Sequence, residues 1–309
     1  MSHLPRLIRR KWFRWVCVFA LPALLVPIFA LVRFNIPHAV CAPLAGFQAA
    51  MGIHAGGERA DAEIIGHRGS ALRNPKVPSK PIGNTRNAIQ AGIDAGVDWI
   101  EIDLRRTSDG HLVLFHDESI GADTDSDEGM VSDLGLKQLL GNEVSVDPPE
   151  KILTLEEFGA GFAKTLVDDE IGLILDVKVS GVRTQVLDWI AGSGLDPSRV
   201  VIFGEYQILL QYRESGCKLG YTFTWSGEGN PKRYLLDRSE IIRRLRKIDA
   251  SLLVVPVMFC SEDLITEAKK NGVSTWAYGS EDPRDWEKVR KLGVTGLIVD
   301  YPEEAAKIR

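Results

Sequence analysis

The feature that most constrains the fold is a regular alternation of short β-branched runs with longer amphipathic segments, which begins near residue 62. The strand-like runs are EIIGH, DWIEIDL, IGLILDVKV, RVVIFG, KLGYTF, SLLVVPV, VSTWAYG and TGLIVDY. Runs of this kind that alternate with helix-like segments predict a parallel sheet covered by helices. Eight such runs over about 240 residues favour an α/β fold closed into a (β/α)8 TIM barrel over an open sheet.

A ninth strand-like run, HLVLFHD, follows the DWIEIDL run after only the turn SDGH. An Asp-Gly pair between extended runs is the strongest short signal for a β-hairpin. If Asp109 and Gly110 are the two loop residues, Asp103 lies opposite His116, and Glu101 shares its face. A bulged turn would shift this pairing by one residue. The hairpin is predicted to gather two carboxylates and an imidazole at a strand end, where α/β barrels carry their chemistry.

Polar side chains also stand at the ends of two other predicted strands. IIGHRGS ends with His67 and Arg68, and GLILDVKVS places Asp176 and Lys178 on one strand face. Each has an ordinary explanation taken alone, since strand-end histidines are commonly structural and an Asp–Lys pair forms an ion pair. Charges inside an apolar strand are costly, however, unless they are paired or bind a metal. Their convergence on one barrel rim therefore indicates a functional site.

The order of these motifs resembles that of the glycerophosphodiester phosphodiesterase family. The shared blocks are HRG, NT, ExD, TxDGxxVxxHD, TLEE, an acid two residues before a lysine, and a closing DYP. They extend from about Glu63 to Pro302, which is nearly all of the chain after its N-terminal segment. The resemblance implies a metal-dependent phosphodiesterase built on a TIM barrel.

The resemblance also implies roles for individual residues. His67 and His116 fall on the two catalytic histidines of the family. The implied metal ligands are Glu101, Asp103 and Asp176. The implied substrate-binding residues are Arg68 for the phosphate, Lys178 as a companion base, and Trp276 as an aromatic that lines the pocket.

Elementary chemistry is consistent with these roles. Carboxylate oxygens are hard ligands, so they favour one divalent cation, Mg²⁺ or Ca²⁺, over a metal that prefers thiolates. Such an ion, with Arg68 and Lys178, would neutralise the charge that builds on the phosphoryl oxygens. Two imidazoles can divide the work of base and acid near neutral pH. The sequence leaves the order open, and we expect His67 to be the base and His116 the acid.

Two positions depart from the family pattern. Gly83 stands in PIGNT where the family usually has the acid of PENT, although Asn84 and Thr85 are retained. Asp176 stands where Glu is usual, so its carboxylate reaches one methylene less far. Both departures bear on metal affinity and metal choice, but neither removes a catalytic histidine.

The N-terminal region predicts attachment to a membrane. A basic segment, 1–14, precedes a run without charged or polar side chains, and we assign 15–33 as a transmembrane anchor, 34–61 as a linker and 62–309 as the catalytic domain. Eighteen apolar residues just suffice to cross a hydrocarbon core. The alternatives are a cleaved signal peptide and a buried soluble helix. The basic N-terminus favours a cytoplasmic start and an extracytoplasmic, periplasmic catalytic domain.

The charge distribution excludes one class of partner. Six of the 37 basic residues and none of the 42 acidic residues lie in the first 57 positions. The remainder therefore carries 31 bases and 42 acids, a net charge of −11. An acidic body is a poor match for nucleic acid, whose binding depends on neutralising phosphates.

Three functional hypotheses follow. The first is hydrolysis of small glycerophosphodiesters to an alcohol and glycerol 3-phosphate at the outer face of a membrane. The second keeps this chemistry but takes a lysolipid, as a lysophospholipase D or a sphingomyelinase D-like enzyme would. The third is a barrel that binds phosphodiesters or a partner protein without catalysis.

Overall fold

A computed structural model describes residues 62–70, 82–121, 124, 129–144, 150–222 and 238–308. The chain divides between Ala60 and Asp61, and the described residues all lie in the second unit, Asp61–Arg309. The predicted basic segment, anchor and linker all fall outside the described residues. Among the residues that are described, no helix has the length and apolarity needed to cross a membrane.

The second unit contains a closed barrel of eight parallel strands. Its strands follow one another in space as in sequence: β1 (Glu63–Gly66), β2 (Trp99–Arg106), β6 (Gly172–Val177), β7 (Val200–Gly204), β8 (Lys218–Thr222), β9 (Leu252–Pro256), β10 (Ser274–Tyr278) and β11 (Gly296–Val299). Pairing of β1 with both β2 and β11 closes the sheet. The predicted (β/α)8 barrel is thus confirmed, with each predicted run forming one strand.

Helices connect the barrel strands and cover the outside of the sheet. In chain order they are α1 (Arg86–Asp94), α2 (Leu136–Leu139), α3 (Leu155–Asp168), α4 (Arg183–Gly192), α5 (Tyr206–Tyr212), α6 (Arg238–Ile248), α7 (Glu262–Lys270), α8 (Pro283–Lys291) and α9 (Pro302–Ala305). Short 3₁₀ turns occupy Pro197–Arg199, Val257–Phe259 and Ala306–Ile308. Alternate residues of each strand pack against these helices or into the barrel interior, as the period of two requires.

The hairpin strand β3 (Leu112–Leu114) pairs antiparallel with β2, but in a different register from the one predicted for a two-residue turn. Leu104 lies opposite Leu114, so the pairing is shifted by one residue. The backbone N–H of Phe115 donates to the Asp103 carbonyl at 3.2 Å. Asp103 therefore lies opposite Phe115 and not opposite His116. The reason is a three-residue turn, 108–110, in which Gly110 takes a left-handed φ of 94°.

A small subsidiary core lies beneath this hairpin. It is built from apolar side chains of the segment between β2 and α3, which also contains the short strands β4 (Glu143–Val144) and β5 (Glu150–Lys151). Its buried members are Val113, Phe115, Ile120, Val131, Leu139, Val144 and Ile152. This core holds the end of the hairpin against the barrel rim, where the polar side chains collect.

Candidate active site

The loop that follows β1 is held close to the start of α1 by two glycines. A Cβ at Gly66 would lie 2.0 Å from the carbonyl oxygen of Gly69, and one at Gly69 would lie 2.4 Å from the backbone of Ala88. Gly69 also has a left-handed φ of 94°. These contacts explain the glycine of the HRG motif, since only a residue without a side chain lets the loop and helix approach. His67 and Arg68 are thereby fixed at the rim.

Three carboxylates meet at this rim, and they are the three predicted metal ligands. The β2–β6 register places Asp103 beside Asp176, and Glu101 lies one pleat below on the same face. One oxygen of each group lies within 4.8 Å of the others. All three residues are buried: Glu101 is 2% exposed, Asp103 is 1% exposed and Asp176 is 8% exposed. Asp176 therefore reaches the cluster in spite of its shorter side chain.

Two basic side chains counter this negative charge. The Lys178 Nζ atom lies 2.9 Å from Asp103 Oδ1 and 2.5 Å from Asp176 Oδ2. The Arg68 Nε atom lies 3.2 Å from Asp103 Oδ2, as an ion pair without hydrogen-bond alignment. The backbone N–H of Arg68 donates to Glu101 Oε2 at 2.8 Å. Three carboxylates thus face two cations, and the cluster retains an excess negative charge.

The pKa values follow from this arrangement. Burial raises the pKa of Glu101 well above its ordinary value, and the charges of Asp103 and Asp176 raise it further. Burial acts on the pKa of Asp103 in the same sense, but Lys178 and Arg68 outweigh it and hold that pKa below the usual range. Burial opposes the ammonium of Lys178, yet the neighbouring carboxylates raise its pKa overall. Glu101 is therefore the acid whose charge is least well balanced.

This donor set fits one hard divalent cation. The candidate ligand atoms are all carboxylate oxygens, which Mg²⁺ and Ca²⁺ prefer. They are close enough to share one ion. A charge of +2 would balance the excess negative charge of the cluster, and it would lower the pKa of Glu101 back toward its ordinary value. Glu101, Asp103 and Asp176 are the residues that would hold it.

Asn84 fixes the orientation of one of these carboxylates, a role that the sequence did not reveal. Its Nδ2 donates to Asp103 Oδ2 at 2.8 Å, and its Oδ1 accepts from the Asp103 N–H at 3.0 Å. Asn84 is buried and has a left-handed φ of 65°, which asparagine tolerates better than most residues. Thr85 then caps α1 by accepting from the Ala88 N–H. The retained NT motif therefore joins helix α1 to the acidic cluster.

Both predicted catalytic histidines carry a carboxylate on the same ring nitrogen. His67 Nδ1 lies 2.6 Å from Asp300 Oδ1, and His116 Nδ1 lies 2.5 Å from Asp117 Oδ1. An ionised carboxylate only accepts hydrogen bonds, so each ring donates through Nδ1 and leaves Nε2 for other work. Burial lowers the pKa of His116; Arg68 lowers it too, while Asp103 opposes this effect.

A cavity of about 240 Å³ separates the two histidines. Its polar wall includes Arg68, both histidines and Asp300, and its apolar wall comes from the hairpin and the subsidiary core. Gly83 also lines it, at the position where the family usually has an acid. The lining residues are His67, Arg68, Ile82, Gly83, Asn84, Thr85, Leu114, Phe115, His116, Val144, Ile152 and Asp300.

Trp276 was predicted to line the pocket, but the structure does not bring it to this cavity. Its ring is 4% exposed inside the barrel and packs against Trp99 and Phe203, with ring centroids 5.5 and 5.9 Å away. Two residues further along the same face, Tyr278 lies nearer to the acidic cluster. Burial and the charge of Asp176 raise the pKa of Tyr278 to about 12, so it is a neutral hydroxyl near the site.

Asp117 and Asp300 are also functional candidates that residue-by-residue reasoning missed. The signal was present in the motifs, because Asp117 is the last residue of TxDGxxVxxHD and Asp300 is the first of DYP. What the sequence could not provide was the partner, since Asp300 and His67 are 233 positions apart. The barrel brings them together because β1 and β11 are neighbours.

Comparison with known proteins places this site in a family. Residues 67–304 match the model of the glycerophosphoryl diester phosphodiesterase family. The chain is 27% identical over 252 residues to a glycerophosphodiester phosphodiesterase of Caldanaerobacter subterraneus, an alignment that covers 78% of this chain and 94% of the relative.

Solved structures share the fold. A glycerophosphodiester phosphodiesterase from Thermotoga maritima is 23% identical, with a TM-score of 0.62 over 81% of this chain and 99% of that one. An Oleispira antarctica phosphodiesterase, solved in complex with the product sn-glycerol-3-phosphate, is 20% identical, with a TM-score of 0.62 over 79% and 95% of the respective chains. The family match spans most of the chain and includes both histidines and all three clustered acids. The chain therefore belongs to the glycerophosphoryl diester phosphodiesterase family.

Proposed function

We propose that this protein hydrolyses glycerophosphodiesters to an alcohol and glycerol 3-phosphate, with one divalent cation and with His67 and His116 as general base and general acid. The observation that carries the proposal is the convergence of both histidines and Arg68 on one cavity, beside a buried cluster of three acids. Family membership supports the reaction class. The product complex of the Oleispira antarctica relative supports the products.

The charged residues account for phosphate binding. The phosphodiester is placed against Arg68 and Lys178, whose charges attract the phosphoryl oxygens and hold them in one orientation. When bound by Glu101, Asp103 and Asp176, a divalent cation supplies Lewis-acid stabilisation of the charge that builds on these oxygens. Asn84 and Lys178 keep Asp103 in position for this role through the contacts described above.

The histidines account for proton transfer. Because each Nδ1 is bound to an aspartate, each ring presents Nε2 as its working atom. His67, in its neutral form, takes a proton from the attacking water, and His116, in its protonated form, donates one to the departing alcohol oxygen. Proton transfers of this kind contribute typically 10²- to 10⁴-fold to rate.

The test is a product assay on metal-stripped and reconstituted protein. Glycerophosphocholine, glycerophosphoethanolamine and glycerophosphoglycerol are each incubated with protein that has been stripped with a chelator, then with Mg²⁺ or Ca²⁺ restored. We expect glycerol 3-phosphate and the free alcohol only after an ion is restored. Full activity of the stripped protein would contradict the proposed metal dependence, and no product with any ion or head group would contradict the proposed reaction.

A lysolipid substrate is a second candidate, which the apolar side of the cavity favours. Leu114, Phe115, Val144 and Ile152 are buried residues that also line the space between the histidines. An apolar wall would bind a hydrocarbon part of a lipid, and a membrane anchor at 15–33 with a periplasmic catalytic domain would suit such a substrate. Turnover of lysophosphatidylcholine compared with glycerophosphocholine separates the two candidates. Turnover of either substrate would exclude the third hypothesis, a barrel that binds phosphodiesters without catalysis.

A further inference from the structure

The carboxylate that holds His67 is itself held by another residue. Asp300 follows strand β11 directly, and its side chain accepts from His67 Nδ1 at 2.6 Å. The Asp300 backbone N–H donates to Glu281 Oε1 at 3.0 Å, and the next backbone N–H, from Tyr301, donates to Glu281 Oε2 at 3.3 Å. Both carboxylate oxygens of Glu281 are thus used on two consecutive amides of the DYP segment.

These contacts fix Asp300 at several points. The backbone N–H of His67 donates to the Val299 carbonyl at 3.0 Å, so the hydrogen bonds between β1 and β11 continue up to the histidine. Ser70 Oγ approaches the Asp300 carbonyl at 3.5 Å, a weak contact. Glu281 adds charge-assisted hydrogen bonds, which are about twice as strong as neutral ones. The carboxylate of Asp300 therefore stands at a fixed place relative to the imidazole of His67.

We propose that Glu281 and Asp300 are positioning residues for His67, which act in series. Asp300 selects the His67 tautomer with a proton on Nδ1 and points Nε2 into the cavity, and Glu281 keeps Asp300 where it can do so. Asp300 borders the cavity but its carboxylate is engaged by His67 Nδ1, and both residues act through His67. This inference deepens the proposed function and rests on it, because it gives the reason why His67 is ready to act as a base.

The chemistry explains why the two residues act in this order. A neutral imidazole can accept a proton at Nε2 only if its own proton is on Nδ1. Without a carboxylate at Nδ1, the ring is free to rotate or to exchange tautomers, and a fraction of the molecules presents an N–H to the substrate. As His67 accepts a proton during turnover, the charge of Asp300 also stabilises the resulting imidazolium.

The first test reads the tautomer directly. In full-length protein labelled with ¹⁵N-histidine, the His67 signals are assigned by their loss in His67→Ala and followed by NMR at a pH where the ring is neutral. Wild type is expected to show the Nδ1–H tautomer, and Asp300→Asn is expected to shift the population toward Nε2–H. An identical tautomer population in wild type and Asp300→Asn would overturn the inference, whether or not the protein is active.

The second test reads turnover. We expect Asp300→Asn to lower kcat by roughly 10²- to 10⁴-fold and Glu281→Gln by roughly 10-fold, the scale seen when supporting partners of functional histidines are removed. KM for glycerophosphocholine should change little. Asp285→Asn is the matched control, since Asp285, on α8, accepts from Ser280, the neighbour of Glu281, and lies outside the series Glu281, Asp300 and His67. It should keep wild-type kcat.

Controls separate this inference from the proposed function. If His67→Ala is inactive while both Asp300→Asn and Glu281→Gln keep wild-type kcat, the positioning role is wrong and the proposed function stands. If His67→Ala keeps wild-type kcat, the proposed function fails first, and the NMR measurement still decides the tautomer question. Glu281→Gln also serves if Asp300→Asn does not fold, because it leaves the side chain of Asp300 intact.

Discussion

Replacing Glu101 by Gln should have opposite effects on the metal-free and the metal-loaded protein. Glu101 is buried beside Asp103 and Asp176, and its pKa is raised well above the ordinary 4.5. A raised pKa in the folded state means that this group contributes stability below the unfolded pKa and that the contribution is lost as the pH rises. At neutral pH, Glu101→Gln should therefore stabilise the metal-free protein while it removes one of three ligands.

The size of the metal effect follows from mass action. An ion at 100 times its Kd stabilises the folded state by about 2.7 kcal/mol. For a domain the size of Asp61–Arg309, about 1 kcal/mol shifts Tm by roughly 2–4 °C, so wild type should gain about 5–11 °C. If Glu101→Gln weakens binding about 100-fold, the same ion concentration stabilises the variant by only about 0.4 kcal/mol, a shift of about 1–2 °C.

The assay is thermal unfolding with and without Mg²⁺ or Ca²⁺, in steps of about one pH unit from about pH 4 upward. Glu287→Gln is the control, because Glu287 is an exposed partner of Lys291 on α8 and lies outside the cluster. It should gain as much from the ion as wild type does. An equal gain in Glu101→Gln would refute the reasoning and place the ion elsewhere. So would a metal-free variant less stable than wild type at neutral pH.

Two further predictions concern the loop after β1 and the N-terminal segment. Gly69 and Gly110 share a φ of 94°, but a Cβ at Gly69 would lie 2.4 Å from Ala88 whereas one at Gly110 meets nothing within 4 Å. Gly69→Ala should therefore cost about 1–3 kcal/mol more in urea unfolding than Gly110→Ala, and equal costs would refute the packing argument. A truncated protein that begins near Ala60 should remain soluble without detergent, whereas the full chain should require it because of the apolar run 15–32. Recovery of the full chain from the soluble fraction without detergent would contradict the anchor.

The barrel could be predicted from sequence because its signal is local and repeated. Each parallel strand is a short apolar run between helical segments, and acidic or basic residues at the carboxyl ends of the strands lie on the same rim once the sheet closes. Period-two alternation places Glu101 with Asp103 and Asp176 with Lys178 on one face of each strand, and the parallel pairing of β2 with β6 joins the two pairs into one cluster.

The remaining features depend on contacts between distant segments. The register predicted for a two-residue turn was wrong by one residue because the turn has three residues, as the bulged alternative required, and Asp109 of that turn also accepts from the backbone N–H of Leu136, 27 positions away. Trp276 shares an inward strand face with Tyr278 but lies two residues deeper in the barrel, where it packs against Trp99 and Phe203. No local pattern encodes either contact.

The central claim, that His67 and His116 divide the work of base and acid, is tested most directly by changing the leaving group. The measurement is kcat for wild type, His67→Ala and His116→Ala on glycerophosphocholine and on its p-nitrophenyl analogue. On glycerophosphocholine each variant should lose roughly 10²- to 10⁴-fold. Because p-nitrophenolate needs little protonation to depart, the account predicts partial rescue of His116→Ala on the analogue and no rescue of His67→Ala. Rescue of His67→Ala alone would reverse the two roles, and wild-type turnover by both variants would contradict catalysis at this site.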